Sequence, residues 1–188
     1  MKEMTPHSPT GAAEDRIDWS EWLAEYGSQL LLYARQQCRS DADAEDVLQE
    51  ALVQLVRAVE SGSFTGTRNQ WSAYAYTAIR HLAMDRGRRE QVRRNYATAQ
   101  QETLREGVEE TPWLSSAADD EYLREKLEAV LRQLSPEFAE VVVLHIWGER
   151  TFQQIADMTG QKLSTITSRY RYALQSMRKA LEADPIER

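Results

Sequence analysis

The segment from Thr151 to Leu174 constrains this chain more than any other part of it. Thr151, with Gln154 three residues later, is a capping-box start for a helix. Ala156 is small where two helices must cross closely. Gly160 can take the left-handed conformation that ends the helix. Ser164 can cap a second helix, and Ile166 returns that helix to the core. The second helix carries Arg169 and Arg171 with no acid near them in sequence. Such a pattern is a helix-turn-helix, whose second helix puts its N-terminal side chains into the major groove of DNA. An ordinary helical hairpin carries the same caps, so the rest of the chain has to discriminate.

Charge helps through its distribution. The net charge of −7 argues against a simple nucleic-acid binder, because phosphate neutralisation drives non-specific affinity. Yet six arginines fall between Arg80 and Arg94 against only Asp85 and Glu90. Between Met158 and Leu181 stand Lys162, Arg169, Arg171, Arg178 and Lys179, and no acid. Acids gather instead from Asp41 to Glu50 and from Glu102 to Glu121. Two basic segments separated by acidic ones suit a protein that touches DNA at two places while another face meets a different partner. The lone Cys38 excludes an internal disulfide and a Cys-rich metal site, and reads as a small buried hydrophobe. No apolar run is long enough to span a membrane, and no signal-peptide core stands near the start. A cytoplasmic location is expected.

Every periodic stretch is helical, so the expected fold class is all-α. Asp18 with Glu21 can open a first helix through about Arg39. Asp41 or Asp43 starts a second, in which Ala44, Val47, Ala51, Leu55 and Val59 share one stripe. Ser61 to Asn69 is a loop by its Gly and Ser content. A third helix is expected from about Gln70 to Arg94, weakened by Gly87, and a fourth over Tyr122 to Arg132. Ser135-Pro136-Glu137 starts a fifth, running Phe138 to Trp147 and stopping at Gly148. The expected organisation is a disordered lead-in (1–16), a helical domain (17–95), an acidic linker (96–118) and a second helical domain (119–184). Trp113 and Leu114 are unusual in such a linker, as a docking anchor or as the lead-in to the next helix.

Three motifs in order carry a resemblance. The run from Asp43 through Asp46, Gln49 and Glu50 to Val56 is similar to the helix by which sigma factors grip the clamp helices of RNA polymerase β′. The run from Ala78 through Arg80, His81 and Asp85 to Arg89 looks like the helix that opens and reads the minus-ten promoter element. The run from Leu134 to Gly148, with the helix-turn-helix behind it, looks like the part that reads the minus-thirty-five element. Together, over roughly Trp19 to Leu181 apart from the linker, the chain resembles a bacterial sigma factor of the sigma-70 family, extracytoplasmic-function (ECF) type. It departs from the family at His81, where Asn is usual, and at Tyr172, where a second basic residue is common.

The resemblance implies partners and site residues. Core RNA polymerase would be met at the β′ clamp helices by Asp46, Gln49 and Glu50, and at the β flap by the second domain. Without the resemblance those three residues could equally be a solvated helix face, and a metal site fits worse because the spacing matches no ligand motif. Minus-ten DNA would meet Phe64, Arg68 and Asn69 of a base-cradling loop, together with Arg80, His81, Arg88 and Arg89. Trp71 and Tyr74 lie on the apolar stripe and read as core. Tyr76 lies off it and reads as the base-stacking aromatic, a contact that contributes ~1–3 kcal/mol per base. Minus-thirty-five DNA would meet Thr165, Ser168, Arg169 and Arg171 in the groove, with Thr151 and Lys162 on phosphates. Tyr170 and Tyr172 stay divided between core and backbone contact. Further expectations are an anti-sigma partner in members that have one, no cofactor, no metal and no covalent chemistry. The alternatives are a sigma-like decoy that titrates an anti-sigma factor, and a response regulator, for which the N-terminal half lacks a strand–helix receiver.

Overall fold

A computed structural model describes residues 18–97 and 121–183. The lead-in, the acidic segment with Trp113 and Leu114, and the end of the chain around Pro185 lie outside the described residues. Those described form seven helices and no strand: α1 (Trp19–Gln37), α2 (Asp41–Glu60), α3 (Arg68–Ala97), α4 (Glu121–Gln133), α5 (Pro136–Ile146), α6 (Phe152–Thr159) and α7 (Leu163–Ala183).

Helices α1 to α3 form one bundle. The Asp18 carboxylate accepts the N–H groups of Ser20 and Glu21 at 3.0 and 3.1 Å, which opens α1. The Ser40 hydroxyl caps α2 by accepting the N–H of Asp43 at 3.1 Å, leaving Asp41 and Asp43 in the first turn, where the helix dipole favours them. Trp22, Leu30, Tyr33, Val47, Ala51, Leu55, Ala75 and Ile79 fill the centre. An aromatic cluster closes one end, with Trp19 stacked on Trp71 at 5.0 Å and Trp22 on Tyr26 at 5.3 Å. Each such side chain contributes ~1.5–3 kcal/mol of apolar burial.

The loop after α2 is shorter than expected. Phe64 N–H donates to Ala58 O at 2.9 Å, and Thr67 caps α3, its carbonyl accepting Gln70 and Trp71. Arg68 and Asn69 therefore stand in the first turn of α3 and not in the loop. Trp71 and Tyr74 belong to the core side, as their spacing requires.

In the second half, α5 is buried on every face from Ala139 to Leu144. A short helix that is apolar nearly all round is one covered on both sides. Here α7 covers one side and α1 the other. In the helix-turn-helix, Thr151 Oγ1 accepts Gln154 N–H at 3.2 Å while Thr151 N–H donates to Gln154 Oε1 at 2.8 Å. Gly160 sits at φ 67° and donates to Ala156 O. Ile155, Ala156 and Ile166 pack at the crossing. Ser164 is not the cap of α7. That helix begins two residues earlier than a Ser164 cap would give, with the Lys162 carbonyl accepting Thr165 and Ile166, so Ser164 lies exposed in its first turn.

The two halves are packed together, α5 against α1 and α6 against α3. At the centre of that contact lies Glu140, 6% exposed. A single carboxylate oxygen, Oε1, accepts Tyr33 Oη at 2.8 Å, Gln37 Nε2 at 3.0 Å and Arg80 Nε at 3.0 Å. Burial and the Glu140 carboxylate hold the Tyr33 phenol well above its ordinary range. Beside it, Gln36 donates to Pro136 O at 3.1 Å. Buried Arg150 lies 5.8 Å from the centre of the Tyr76 ring and reaches Asn69 O at 3.5 Å.

Candidate nucleic-acid and polymerase interfaces

Helix α7 presents the clearest surface. Ile166, Ala173 and Met177 face inward, which turns Ser164, Thr167, Arg171 and Gln175 outward on one stripe at helical spacing. Of the groove residues expected from sequence, Arg171 is exposed, while Thr165, Ser168 and Arg169 are half-buried along the flank. Arg171 lies 5.2 Å from the centre of the Tyr172 ring. Arg169 does have an acid near it in space: Glu137, at the start of α5. Hydrogen bonds from its own backbone N–H and from Ser135 hold the Glu137 carboxyl below its ordinary range, and Arg169 adds to the effect. Thr151 and Lys162 are both exposed, at the starts of α6 and α7. The structure also separates the two tyrosines. Tyr170 packs with Phe152 and His145, ring centres 5.1 and 4.8 Å away, and Tyr172 is half exposed.

Ser164 and Thr167 were missed as groove candidates. The inward stripe of Ile166, Ala173 and Met177 was the available signal, because it fixes which side of α7 faces out. Thr167 Oγ1 donates to Leu163 O at 2.9 Å, which leaves the hydroxyl oxygen free to act as an acceptor.

Along α3, His81, Arg88 and Arg89 are exposed. Asp85 sits 3.6 Å from Arg88, an exposed pair of small energetic weight. Arg80 is different. It is bound to Glu140 and half-buried, so in this arrangement its guanidinium is not a surface charge. Tyr76 corrects the sequence reading for the packed arrangement. It is fully buried, edge-on to Tyr33 at 5.3 Å, and cannot stack on a base as an exposed aromatic would. Its ring meets Tyr33 of α1 on one side and the second half of the chain on the other, at Arg150 and Gly148. Phe64 is half-buried against Tyr74, with ring centres 5.2 Å apart. Arg68 pairs with Glu21 at 3.1 Å and Glu25 at 3.6 Å, and Asn69 Oδ1 accepts Tyr26 Oη at 3.4 Å.

On α2, Asp46, Gln49 and Glu50 are all exposed and line an open groove of about 1010 Å³ between α2 and α3. Arg86 crosses this groove to Asp43 at 2.9 Å and Asp46 at 2.8 Å. Gln49 and Glu50 are exposed beside that pair. Cys38 also lines the groove, and burial, aided by Asp43, pushes its thiol up to about 11. Among the described residues no helix is long and apolar enough to cross a membrane.

Comparison with known proteins gives this architecture a family. Residues 22–93 match Sigma-70 region 2, and residues 130–179 match Sigma-70, region 4. The "ECF RNA polymerase sigma factor SigE" of Mycolicibacterium smegmatis is 28% identical over 92% of this chain. The chain spans 65% of that relative's length. The "RNA polymerase sigma factor SigV" of Bacillus subtilis is 24% identical over 79% of this chain and 81% of its own. The fold is shared with the sigma factor RpoE of Bartonella quintana, solved in complex with the anti-sigma factor NepR. That match has a TM-score of 0.69 at 18% identity and covers 89% of this chain and 98% of the solved one. Both halves of the fold, in the same order, match the same family, and the chain belongs to the sigma-70 family of bacterial RNA polymerase sigma factors, in its extracytoplasmic-function branch.

Proposed function

We propose that this chain binds core RNA polymerase and directs promoter-specific initiation of transcription. The observation that carries the reading is the outward stripe of α7: Ser164, Thr167 and Arg171 stand at the N-terminal half of the second helix of a helix-turn-helix whose first helix is capped at both ends. A major-groove reader requires such a face, and an arginine on a guanine edge gives ~1–3 kcal/mol of base discrimination. Arg169 and Ser168 flank the stripe, and Thr151 and Lys162 reach phosphates. His81, Arg88 and Arg89, with Phe64 of the preceding loop and Arg68 and Asn69 at the start of α3, serve the minus-ten element.

Asp46, Gln49 and Glu50 dock on the polymerase β′ clamp helices, where exposed rim charges steer association more than they add affinity. The half matching region 4 (119–184) meets the β flap, and 96–118 connects it to the half matching region 2 (17–95). An anti-sigma factor is proposed as a further partner by analogy with the Bartonella quintana protein, whose structure is of such a complex. Polymerase performs the bond-making; this chain supplies recognition and strand opening, in the cytoplasm where its partners reside.

The test is run-off transcription with purified core polymerase and promoter fragments from the source genome. Start sites that appear only when the chain is added are expected, and Arg169→Ala should weaken them. Neither transcripts nor polymerase binding would instead fit a decoy, and polymerase binding without transcripts would point to a missing activator or promoter.

A further inference from the structure

We propose that Glu140 is a latch that holds the free chain closed, occupying on Arg80 the place that a DNA phosphate takes when the chain opens. This rests on the proposed reading of α3 and α7 as the two promoter-binding helices. The elements they would read are roughly 25 base pairs apart, or ~85 Å at 3.4 Å per base pair. A compact body of about 150 residues has a radius of gyration of about 15 Å and spans about 40 Å. Duplex DNA, with a persistence length of about 150 base pairs, does not fold back readily over so short a distance. The packed arrangement and simultaneous reading of both elements are therefore exclusive, and α5 and α6 have to leave α1 and α3 before the chain can be used.

The contact that must break is polar at its centre. Glu140 is buried, and the groups it holds come from two elements of the other half: Tyr33 and Gln37 on α1, and Arg80 on α3. A buried carboxylate without its cation is strongly disfavoured, so the latch closes only when Arg80 is in place. Separation returns both charges to water, which regains the desolvation cost and keeps opening within reach of a binding partner. Arg80 then becomes a free guanidinium on the basic helix. The same opening uncovers Tyr76 and frees the Asn69 carbonyl from Arg150. Closure thus removes three groups of the α3 surface from use, and one carboxylate takes the role of the competing anion.

The latch is read by distance measurements on the full chain, free in solution. Spin labels go on the exposed positions Arg57→Cys in α2 and Gln175→Cys in α7, in a Cys38→Ala background. The labelled parent should give one distribution below about 45 Å, set by the compact dimension. Glu140→Gln keeps the volume and removes the charge, and should raise the ratio of long to short distances about tenfold or more, the loss of one charge-assisted hydrogen bond. Tyr33→Phe removes one donor to the same oxygen and should act in the same direction, less strongly. It decides the matter if Glu140→Gln loses its helical circular dichroism. A parent already spread beyond about 60 Å, or variants that keep the parent distribution, overturns the latch. Neither transcripts nor polymerase binding in the run-off assay would remove the sigma reading and leave these distances standing; transcripts from a chain that is open when free would remove the latch alone.

Discussion

Gly160 tests how the turn of the helix-turn-helix is held, with Gly148 and Gly87 as comparisons, because an added methyl group has different consequences at each. Gly160 has φ +67°, and a Cβ added there would find no atom within 4 Å. The cost of Gly160→Ala is then conformational alone. A left-handed L-residue costs ~1–2 kcal/mol, and the stiffer unfolded chain returns ~0.4–1 kcal/mol of it. The expected net loss is about 1 kcal/mol. Gly160→Asn should lose less, since asparagine tolerates this conformation. At Gly148 the φ is unexceptional, but a Cβ would stand 2.7 Å from the Leu144 carbonyl oxygen and 3.2 Å from Tyr76 Oη. The first is backbone and cannot swing away, so Gly148→Ala should cost ~1–3 kcal/mol, in the range of core overpacking. Gly87 lies inside α3 with nothing within 4 Å, and Gly87→Ala should stabilise by ~0.5–1 kcal/mol. Thermal and urea unfolding followed by circular dichroism measures all three. If the two halves melt as one unit, 1 kcal/mol moves Tm by ~2–4 °C; if the second half melts alone, by ~4–8 °C. A Gly160→Ala protein as stable as the parent, or an Asn variant as damaged as the Ala variant, would refute the claim that the left-handed residue closes the turn.

Two further outcomes are expected. Arg171→Ala should weaken holoenzyme binding to minus-thirty-five DNA by roughly 10- to 100-fold if the side chain pairs with a guanine, and the salt dependence of binding should not change. A drop of about one in the salt slope at equal loss for every sequence would make it a phosphate contact. Cys38 should resist alkylation: at pH 8 a thiol held at about 11 is ~100-fold less ionised than one at its ordinary value near 9, so iodoacetamide should react correspondingly slowly until the chain unfolds. The raised value means the fold favours the protonated thiol. This contribution to stability is complete below about pH 9 and is lost as pH rises toward 11. An alkylation rate equal to that of the unfolded chain would refute it.

What could be read in the sequence was local. Thr151 and Gln154 are three residues apart, Gly160 follows at the end of the same helix, and Val47, Ala51 and Leu55 repeat at four. Each of these signals closes within a turn or so of helix, which is why helix types and most boundaries were legible. The misplacements are also local, and each comes from a competing cap: Thr67 started α3 two residues early and drew Arg68 and Asn69 out of the loop, while Lys162 displaced Ser164. The outward stripe of α7 was half legible. Arg171 was found because charge is conspicuous, and Thr167 was missed because only the inward stripe marks it.

Tyr76 and Glu140 were illegible for a different reason. Their partners lie far along the chain, Tyr33 and Glu140 being 107 residues apart and Arg80 and Glu140 being 60. No periodicity spans such a distance. Nothing near Glu140 in sequence, an acid inside a run of apolar residues in α5, marks it as paired across the chain. Tyr76 reads as exposed because it lies off the apolar stripe of α3, an inference which assumes that a helix has one buried face. Helices α3 and α5 have two, the second made by the other half of the chain. Tyr76 and Arg80, which sequence reasoning turns outward on α3, therefore meet the other half of the chain. Arg80 is a cation on the helix proposed to read the minus-ten element and is already paired with Glu140 in the packed arrangement. A residue able to serve two surfaces in turn has to be polar, because an apolar one would keep the closed form too stable to open.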